Sequence, residues 1–226
     1  ANITLFMDKK SVKNFYETFD FEKMINDQAP ELIQEFLDGE IEFISEHIKP
    51  NSSILEIGCG YGRLLKIMAK KSKQLVGIDF SNRMVELSKK NLEGKENVDI
   101  QLMEADKLTF NDNFFDYVVC LDNSFGNMPK IELDVLKEMK RVCKNGGEII
   151  ISVFSENAKD VQRENYERIG LTNIKDDGKA IHTAEGFYSR RFAKEELKSL
   201  FNNAGLEPEI VKICPINYIA YAPKTL

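Results

Sequence analysis

The chain has 226 residues, 42% of them apolar, and a net charge of −6. That suits one α/β domain with an insertion, and no apolar run approaches the roughly 20 residues that span a bilayer, so no membrane association is expected. The acidity is local: residues 1–50 hold 5 Lys and Arg against 11 Asp and Glu, and the remainder balances.

In chain order, residues 10–28 and 30–48 carry apolar side chains at helical spacing, and Pro50-Asn51-Ser52 ends the second helix. Residues 53–57 read as a buried strand entering a glycine turn, followed by a helix over 62–71. A second unit pairs a strand at 74–79 with a helix capped by Ser81 and ending near Gly94. Strands follow at 98–103 and 115–121, then a helix at 131–142 stopped by Asn145-Gly146-Gly147, and a fifth strand at 148–154. This alternation predicts a doubly wound, mostly parallel sheet with helices on both faces. The rhythm then fails for about 40 residues, through a polar stretch read as a lid, before a helix at 193–204 ended by Gly205. Strands at 206–214 and 216–222, separated by Pro215, predict an antiparallel hairpin at the sheet edge.

Composition limits the partners. Clusters such as Lys70, Lys71 and Lys73, Lys89 and Lys90, or Arg190 and Arg191 are too short for a phosphate-tracking face, so nucleic acid is not an expected partner. The cysteines, Cys59, Cys120, Cys143 and Cys214, and the histidines, His47 and His182, have no metal-site spacing, which predicts no metal and reduced structural thiols. The first residues do not form a basic stretch followed by an apolar one, so cytoplasmic residence is expected.

The strongest local signal is Glu56-Ile57-Gly58-Cys59-Gly60-Tyr61-Gly62 at a strand-to-helix junction. Glycines there permit a tight turn and close approach of a ligand to backbone N–H groups, while the helix start favours an anionic group. Asp79, at the end of the second strand, is placed to accept both hydroxyls of a ribose. A dinucleotide-binding GxGxxG loop needs glycine at 63, where Arg63 stands. Glycine falls instead at 62.

The resulting ExGxGxG pattern resembles the nucleoside-binding loop of the Rossmann-like (class I) S-adenosylmethionine-dependent methyltransferases, particularly those acting on small molecules. Leu75-Val76-Gly77-Ile78-Asp79-Phe80-Ser81, Ala105-Asp106 and 141–147 extend the resemblance over residues 50–154. It implies a seven-stranded sheet and a division into an N-terminal helical cap (1–48), a cofactor-binding core (49–154), a lid or substrate insertion (155–192) and a closing helix and hairpin of the same core (193–226). It further implies a cofactor set of Glu56, Gly58, Gly60, Arg63, Asp79, Phe80, Met84, Asp106 and Leu121. Gly58 and Gly60 bound the methionine part, Asp79 the ribose, Phe80 and Met84 the adenine faces and Asp106 the exocyclic amine. The Leu121 carbonyl faces the methionine ammonium, and Arg63 pairs with the cofactor carboxylate or with Glu56.

Ligands of open α/β sheets sit beyond the carboxyl ends of the strands. The segment after the fourth strand, 121–128, lacks the (Asp/Asn)-Pro-Pro-(Tyr/Phe) pattern of nucleobase-amine methyltransferases, and its Asn-Ser-Phe-Gly-Asn run is similar to small-molecule N-methyltransferases. The expected reaction is methyl transfer to nitrogen or oxygen of a small metabolite by a monomer or homodimer. Candidate proton acceptors are His182, Tyr188 and Asp122. Candidate substrate contacts are Tyr16, on a leading helix with Phe15 and Phe19, together with Asn123, Phe125 and Arg190. The alternatives are an inactive nucleoside-binding subunit and a nicotinamide-dependent oxidoreductase.

Overall fold

The computed structural model describes residues 7–20 and 28–225. Two helices, α1 (Lys9–Thr18) and α2 (Glu31–His47), lead into β1 (Ser52–Ile57), α3 (Leu65–Met68), β2 (Ser72–Asp79), α4 (Asn82–Asn91), β3 (Val98–Leu102), β4 (Phe115–Cys120), α5 (Glu132–Val142) and β5 (Cys143–Phe154). An insertion of α6 (Lys159–Arg168) and three short strands, β6 (Lys175–Asp176), β7 (Ala180–His182) and β8 (Tyr188–Arg190), precedes α7 (Lys194–Asn203), β9 (Glu209–Val211) and β10 (Asn217–Pro223).

The seven-stranded sheet runs β3-β2-β1-β4-β5-β10-β9. Only β10 is reversed, antiparallel to β5 on one side and to β9 on the other. The strands are apolar on both faces because helices cover both. Leu55, Ile57, Val118, Ile149 and Ile151 pack toward α5 and α7, while Ile54, Leu75, Val119 and Ile150 pack with residues of α2, α3 and α4. Each such buried side chain contributes about 1.5–3 kcal/mol of transfer free energy, so the sheet is the rigid floor on which the site is mounted. Among the described residues, no helix is long and apolar enough to cross a membrane.

Several elements differ from the sequence expectation. β5 begins at Cys143, so Asn145-Gly146-Gly147 lie within it rather than before it, and β9 covers only Glu209–Val211 of the expected 206–214. α1 ends at Thr18, and residues 21–27 of the expected 10–28 helix lie outside the described residues. The helix expected over 62–71 is reduced to the four residues of α3, because Gly58, Gly60 and Gly62 all take positive φ (71°, 54° and 87°) and delay its start. The insertion holds a helix, α6, that periodicity did not reveal. Its buried stripe includes Gln162, whose amide donates to Ser189 Oγ at 2.8 Å and whose carbonyl accepts from Arg191 Nη1 at 2.8 Å. A polar residue satisfied this way is invisible to an apolar/polar reading.

Candidate functional site

The carboxyl ends of β1, β2 and β4 open into a cavity of about 250 Å³ whose lining includes Glu56, Gly58, Gly60, Asp79, Phe80 and Leu121. β1 delivers Glu56 and then the left-handed Gly58 and Gly60. A Cβ at Gly60 would meet nothing within 4 Å, so this face of the loop is open to a ligand. At Gly62 a Cβ would lie 2.6 Å from Ser88 Oγ, so the third glycine serves the packing of the loop on α4.

Asp79 is fixed by two backbone donors, Gly60 N–H to Oδ2 and Ser81 N–H to Oδ1, both at 3.0 Å. Each carboxylate oxygen thus keeps acceptor capacity. Burial raises the Asp79 carboxyl to about 6, with those N–H groups opposing the shift. Ser81 Oγ accepts from Met84 N–H at 3.2 Å and starts α4, which places Met84 beside Phe80 in the cavity wall. Glu56 is buried and its Oε2 has no hydrogen-bond partner among the described residues, while burial pushes its carboxyl well above the usual range.

Of the two roles expected for Arg63, the pairing with Glu56 does not form among the described residues. Its Nη2 lies instead 3.1 Å from Glu40 Oε1 and 3.2 Å from Asp122 Oδ2, and the side chain lines the cavity. Glu40, from α2, is fully buried and also accepts the Asp122 N–H at 2.7 Å. Burial, then the like charge of Asp122, raises its carboxyl to about 7, and Arg63 opposes them. Asp106 is likewise engaged: Lys9 Nζ, on α1, donates to both of its oxygens at 2.9 and 3.1 Å and sits 3.0 Å from a Glu104 oxygen. Lys9, Glu104 and Ala105 line the cavity, and Asp106 is not part of its lining.

The other half of the cavity is bounded by α2, α6 and the end of β5. Ile33, Phe36, Phe154, Tyr166 and Phe187 form an apolar wall with Tyr16 of α1, joined by Asn165 and Arg168. Tyr166 meets Phe187 edge-on at 4.5 Å, and its hydroxyl is 2.9 Å from Ser189 Oγ. Burial pushes that phenol up to about 12, so it remains protonated near neutrality.

Of the expected acceptor contacts, Tyr16 and Asp122 line the cavity and the others do not. Asn123 is buried with left-handed φ (55°). Its Nδ2 donates to Ser189 Oγ at 2.9 Å and its Oδ1 accepts from Phe154 N–H at 3.0 Å, so it staples the loop after β4 to β5 and β8. Phe125 is fully buried and stacks on Phe192 at 5.6 Å. Tyr188 packs with Met7 and Val12 away from the cavity, and His182 is buried on β7 outside the cavity lining. Arg190 is consumed by Glu132 and Glu196 at 2.6 and 2.5 Å, and Arg191 by Asp176 at 2.7 Å. No motif marked Lys9, Glu40, Phe36, Tyr166, Arg168 or Phe187. Only the helical phase of α2, which puts Ile33, Phe36, Glu40 and Ile44 on one buried face, carried a signal for any of them.

Comparison with known proteins agrees with this architecture. A family model described as a methyltransferase domain matches residues 54–147. A demethylmenaquinone methyltransferase of Staphylococcus saprophyticus is 31% identical over 171 residues, covering 70% of this chain and 72% of that protein. An S-adenosylmethionine-dependent methyltransferase from Aquifex aeolicus superposes with a TM-score of 0.65 at 21% identity, over 90% of this chain and 98% of that one. The 1,6-didemethyltoxoflavin-N1-methyltransferase of Burkholderia thailandensis, solved with 1,6-didemethyltoxoflavin and S-adenosylhomocysteine, does so with a TM-score of 0.60 at 15% identity, over 85% and 79%.

Proposed function

This chain belongs to the class I S-adenosylmethionine-dependent methyltransferases, and on that premise we propose that it methylates a nitrogen or oxygen of a small metabolite bound between α2 and α6. S-adenosylmethionine is its cofactor, which replaces the nicotinamide alternative. The residues present fit that cofactor. The buried Glu56 Oε2, unpartnered among the described residues, suits an ammonium, the open face of Gly60 admits a close ligand, and Asp79 retains acceptor capacity on both oxygens. The observation that carries the proposal is that Asp79 and the apolar α2–α6 wall line one continuous cavity.

The bound cofactor supplies a sulfonium methyl, and much of the acceleration of in-line displacement comes from holding the two partners in register. In this reading Asp79 accepts the ribose hydroxyls, Phe80 and Met84 flank the adenine, Gly58 and Gly60 border the methionine part, and the Leu121 carbonyl and Glu56 face its ammonium. Arg63, already balanced by Glu40 and Asp122, orders the loop after β4. The acceptor in this reading is a metabolite rather than nucleic acid, since Arg190 and Arg191 are paired internally and the exposed Lys70 with Lys73 at the start of β2, and Lys89 with Lys90 at the end of α4, form only short clusters. We take the enzyme to be cytoplasmic, as a monomer or homodimer.

The direct test is calorimetry with S-adenosylmethionine and S-adenosylhomocysteine, followed by a methyl-release assay over a metabolite panel. Binding with turnover supports the proposal. Binding with no turnover on any member favours the nucleoside-binding subunit, and no binding ends both. The Staphylococcus relative gives a second reading, in which demethylmenaquinone is the acceptor and the aromatic wall receives its ring system.

Residues 1–48 act in this reading as a cap and 155–192 as the acceptor wall. The cap's first helix, α1, is held to the core by side chains that include Lys9, paired with Glu104 and Asp106, and Glu17, which accepts from Asn82 N–H at 2.7 Å at the start of α4. Half-exposed ion pairs contribute little to stability, about 1 kcal/mol or less, but they set how often the cap opens. Lys9→Ala is expected to speed S-adenosylhomocysteine dissociation about threefold at low salt, with the difference shrinking as salt is added. Stopped-flow displacement with an unchanged rate shows that the cap does not gate the cofactor.

A further inference from the structure

We infer that the acceptor is a flat aromatic compound bearing an anionic group, that Arg168 on α6 binds this group, and that the nucleophile needs no protein base. The inference rests on the proposed function, because it assigns chemistry to the acceptor half of the same cavity.

Three basic side chains line the cavity among the described residues, and two are neutralised: Lys9 by Glu104 and Asp106, Arg63 by Glu40 and Asp122. Arg168 has no carboxylate within 4.0 Å among the described residues. Its Nε and Nη2 donate only to the neutral Asn165 Oδ1, at 3.4 and 3.0 Å. A half-buried guanidinium in this state keeps both its charge and unused donors, in the fork geometry that receives a carboxylate. Around it stand Phe36, Phe154, Tyr166 and Phe187, a wall suited to stacked or edge-on contact with a ring. The acceptor half therefore offers one positive charge and aromatic surface.

Among the described residues this half offers no free base, and the unpartnered Glu56 belongs to the cofactor half. Asp122 is paired with Arg63, the Tyr166 hydroxyl is occupied by Ser189, and His182 lies outside the cavity. The acceptor must bring an available lone pair, as on an amine, a ring nitrogen or an ionised oxygen. That lone pair forms the new bond to the methyl carbon while the carbon–sulfur bond breaks and its electrons stay on sulfur. The positive charge passes to the acceptor, which becomes neutral if it attacked as an oxyanion, sheds a proton to water if it attacked as an amine N–H, or keeps the charge as an N-methyl cation if it attacked through a pyridine-type ring nitrogen.

The test uses calorimetry on the full chain saturated with S-adenosylhomocysteine. Anthranilate, 4-hydroxybenzoate and nicotinate are titrated against their amides, anthranilamide, 4-hydroxybenzamide and nicotinamide, and demethylmenaquinone is included as an uncharged ring. At least one carboxylate is expected to bind about tenfold more tightly than its amide, a difference lost in Arg168→Met and partly kept in Arg168→Lys, with S-adenosylhomocysteine affinity unchanged. The inference is overturned if no carboxylate binds, if amides or demethylmenaquinone bind as tightly, or if Arg168→Met preserves the preference. A loss of S-adenosylhomocysteine affinity in Arg168→Met also overturns it, by giving the arginine to the cofactor. Wild-type protein that binds no S-adenosylhomocysteine instead brings down the proposed function, and this inference with it.

Discussion

Replacing Asp79 by alanine is expected to weaken S-adenosylhomocysteine binding by about 30- to 1000-fold, the loss of two hydrogen bonds to a charged acceptor at about 1–2 kcal/mol each after competition with water. The carboxylate is already oriented by Gly60 N–H and Ser81 N–H, so little ordering is left to be done on binding. Asp79→Asn should lose nearly as much, because an amide oxygen accepts without the charge and the amide nitrogen cannot accept at all. The pH dependence has a definite sign. Burial raises the free carboxyl to about 6, while ribose hydroxyls bind the ionised form, so affinity should be flat above that pH and fall below it, by up to about tenfold per pH unit. The folding contribution of the same group runs the other way. A raised carboxyl stabilises the folded chain below about pH 4 and loses that contribution as pH rises through about 6. Acidification from pH 7 to 5 should therefore weaken the complex through Asp79 while the same side chain favours the folded apoprotein. Calorimetry across pH 5–8 that finds wild-type affinity constant, or Asp79→Ala equal to wild type, would remove Asp79 from the site.

The core was legible because its constraints are local. Buried parallel strands announce themselves as apolar runs, and three alternate glycines have positive φ values that other residues adopt only with strain. Asp79 could be found because it ends such a strand 21 residues after Gly58. The acceptor half was not legible, since none of its contacts is local. Phe36, Tyr166 and Phe187 belong to three separate elements and read in isolation as ordinary core aromatics. Polar residues misled in a consistent way. Asn123, Arg190 and Arg191 look available in the sequence, yet each is spent on a partner, Ser189, Glu132 and Asp176, that lies 66, 58 and 15 residues away respectively. Composition identifies a charge but not its neutralising partner, and that is why Arg168, inconspicuous in α6, is the unpaired cation of the cavity among the described residues.

Glu40 is expected to be the costliest charged residue to truncate outside the cofactor contacts. In Glu40→Ala the Asp122 N–H loses its acceptor at a backbone already held in the left-handed region (φ 52°), and a cavity opens beneath α2. Arg63 keeps Asp122 and some solvent, so the loss should be about 2–3 kcal/mol rather than the larger cost of a stranded, fully buried charge. Glu40→Gln should behave differently, because its amide oxygen can still accept the Asp122 N–H while shedding the desolvation of a carboxylate. Burial raises the Glu40 carboxyl to about 7, so its contribution is present below about pH 4.5 and is lost as pH rises through about 7. Wild type should consequently lose about 2–3 kcal/mol relative to Glu40→Gln between pH 5 and 8, with Asp79 cancelling from the difference because both proteins contain it. Urea denaturation at several pH values measures this directly. Parallel pH profiles for the two proteins would mean that Arg63 fully compensates the burial of Glu40, and the carboxylate would then be a permanent strut for the loop after β4 rather than a group that titrates near neutrality.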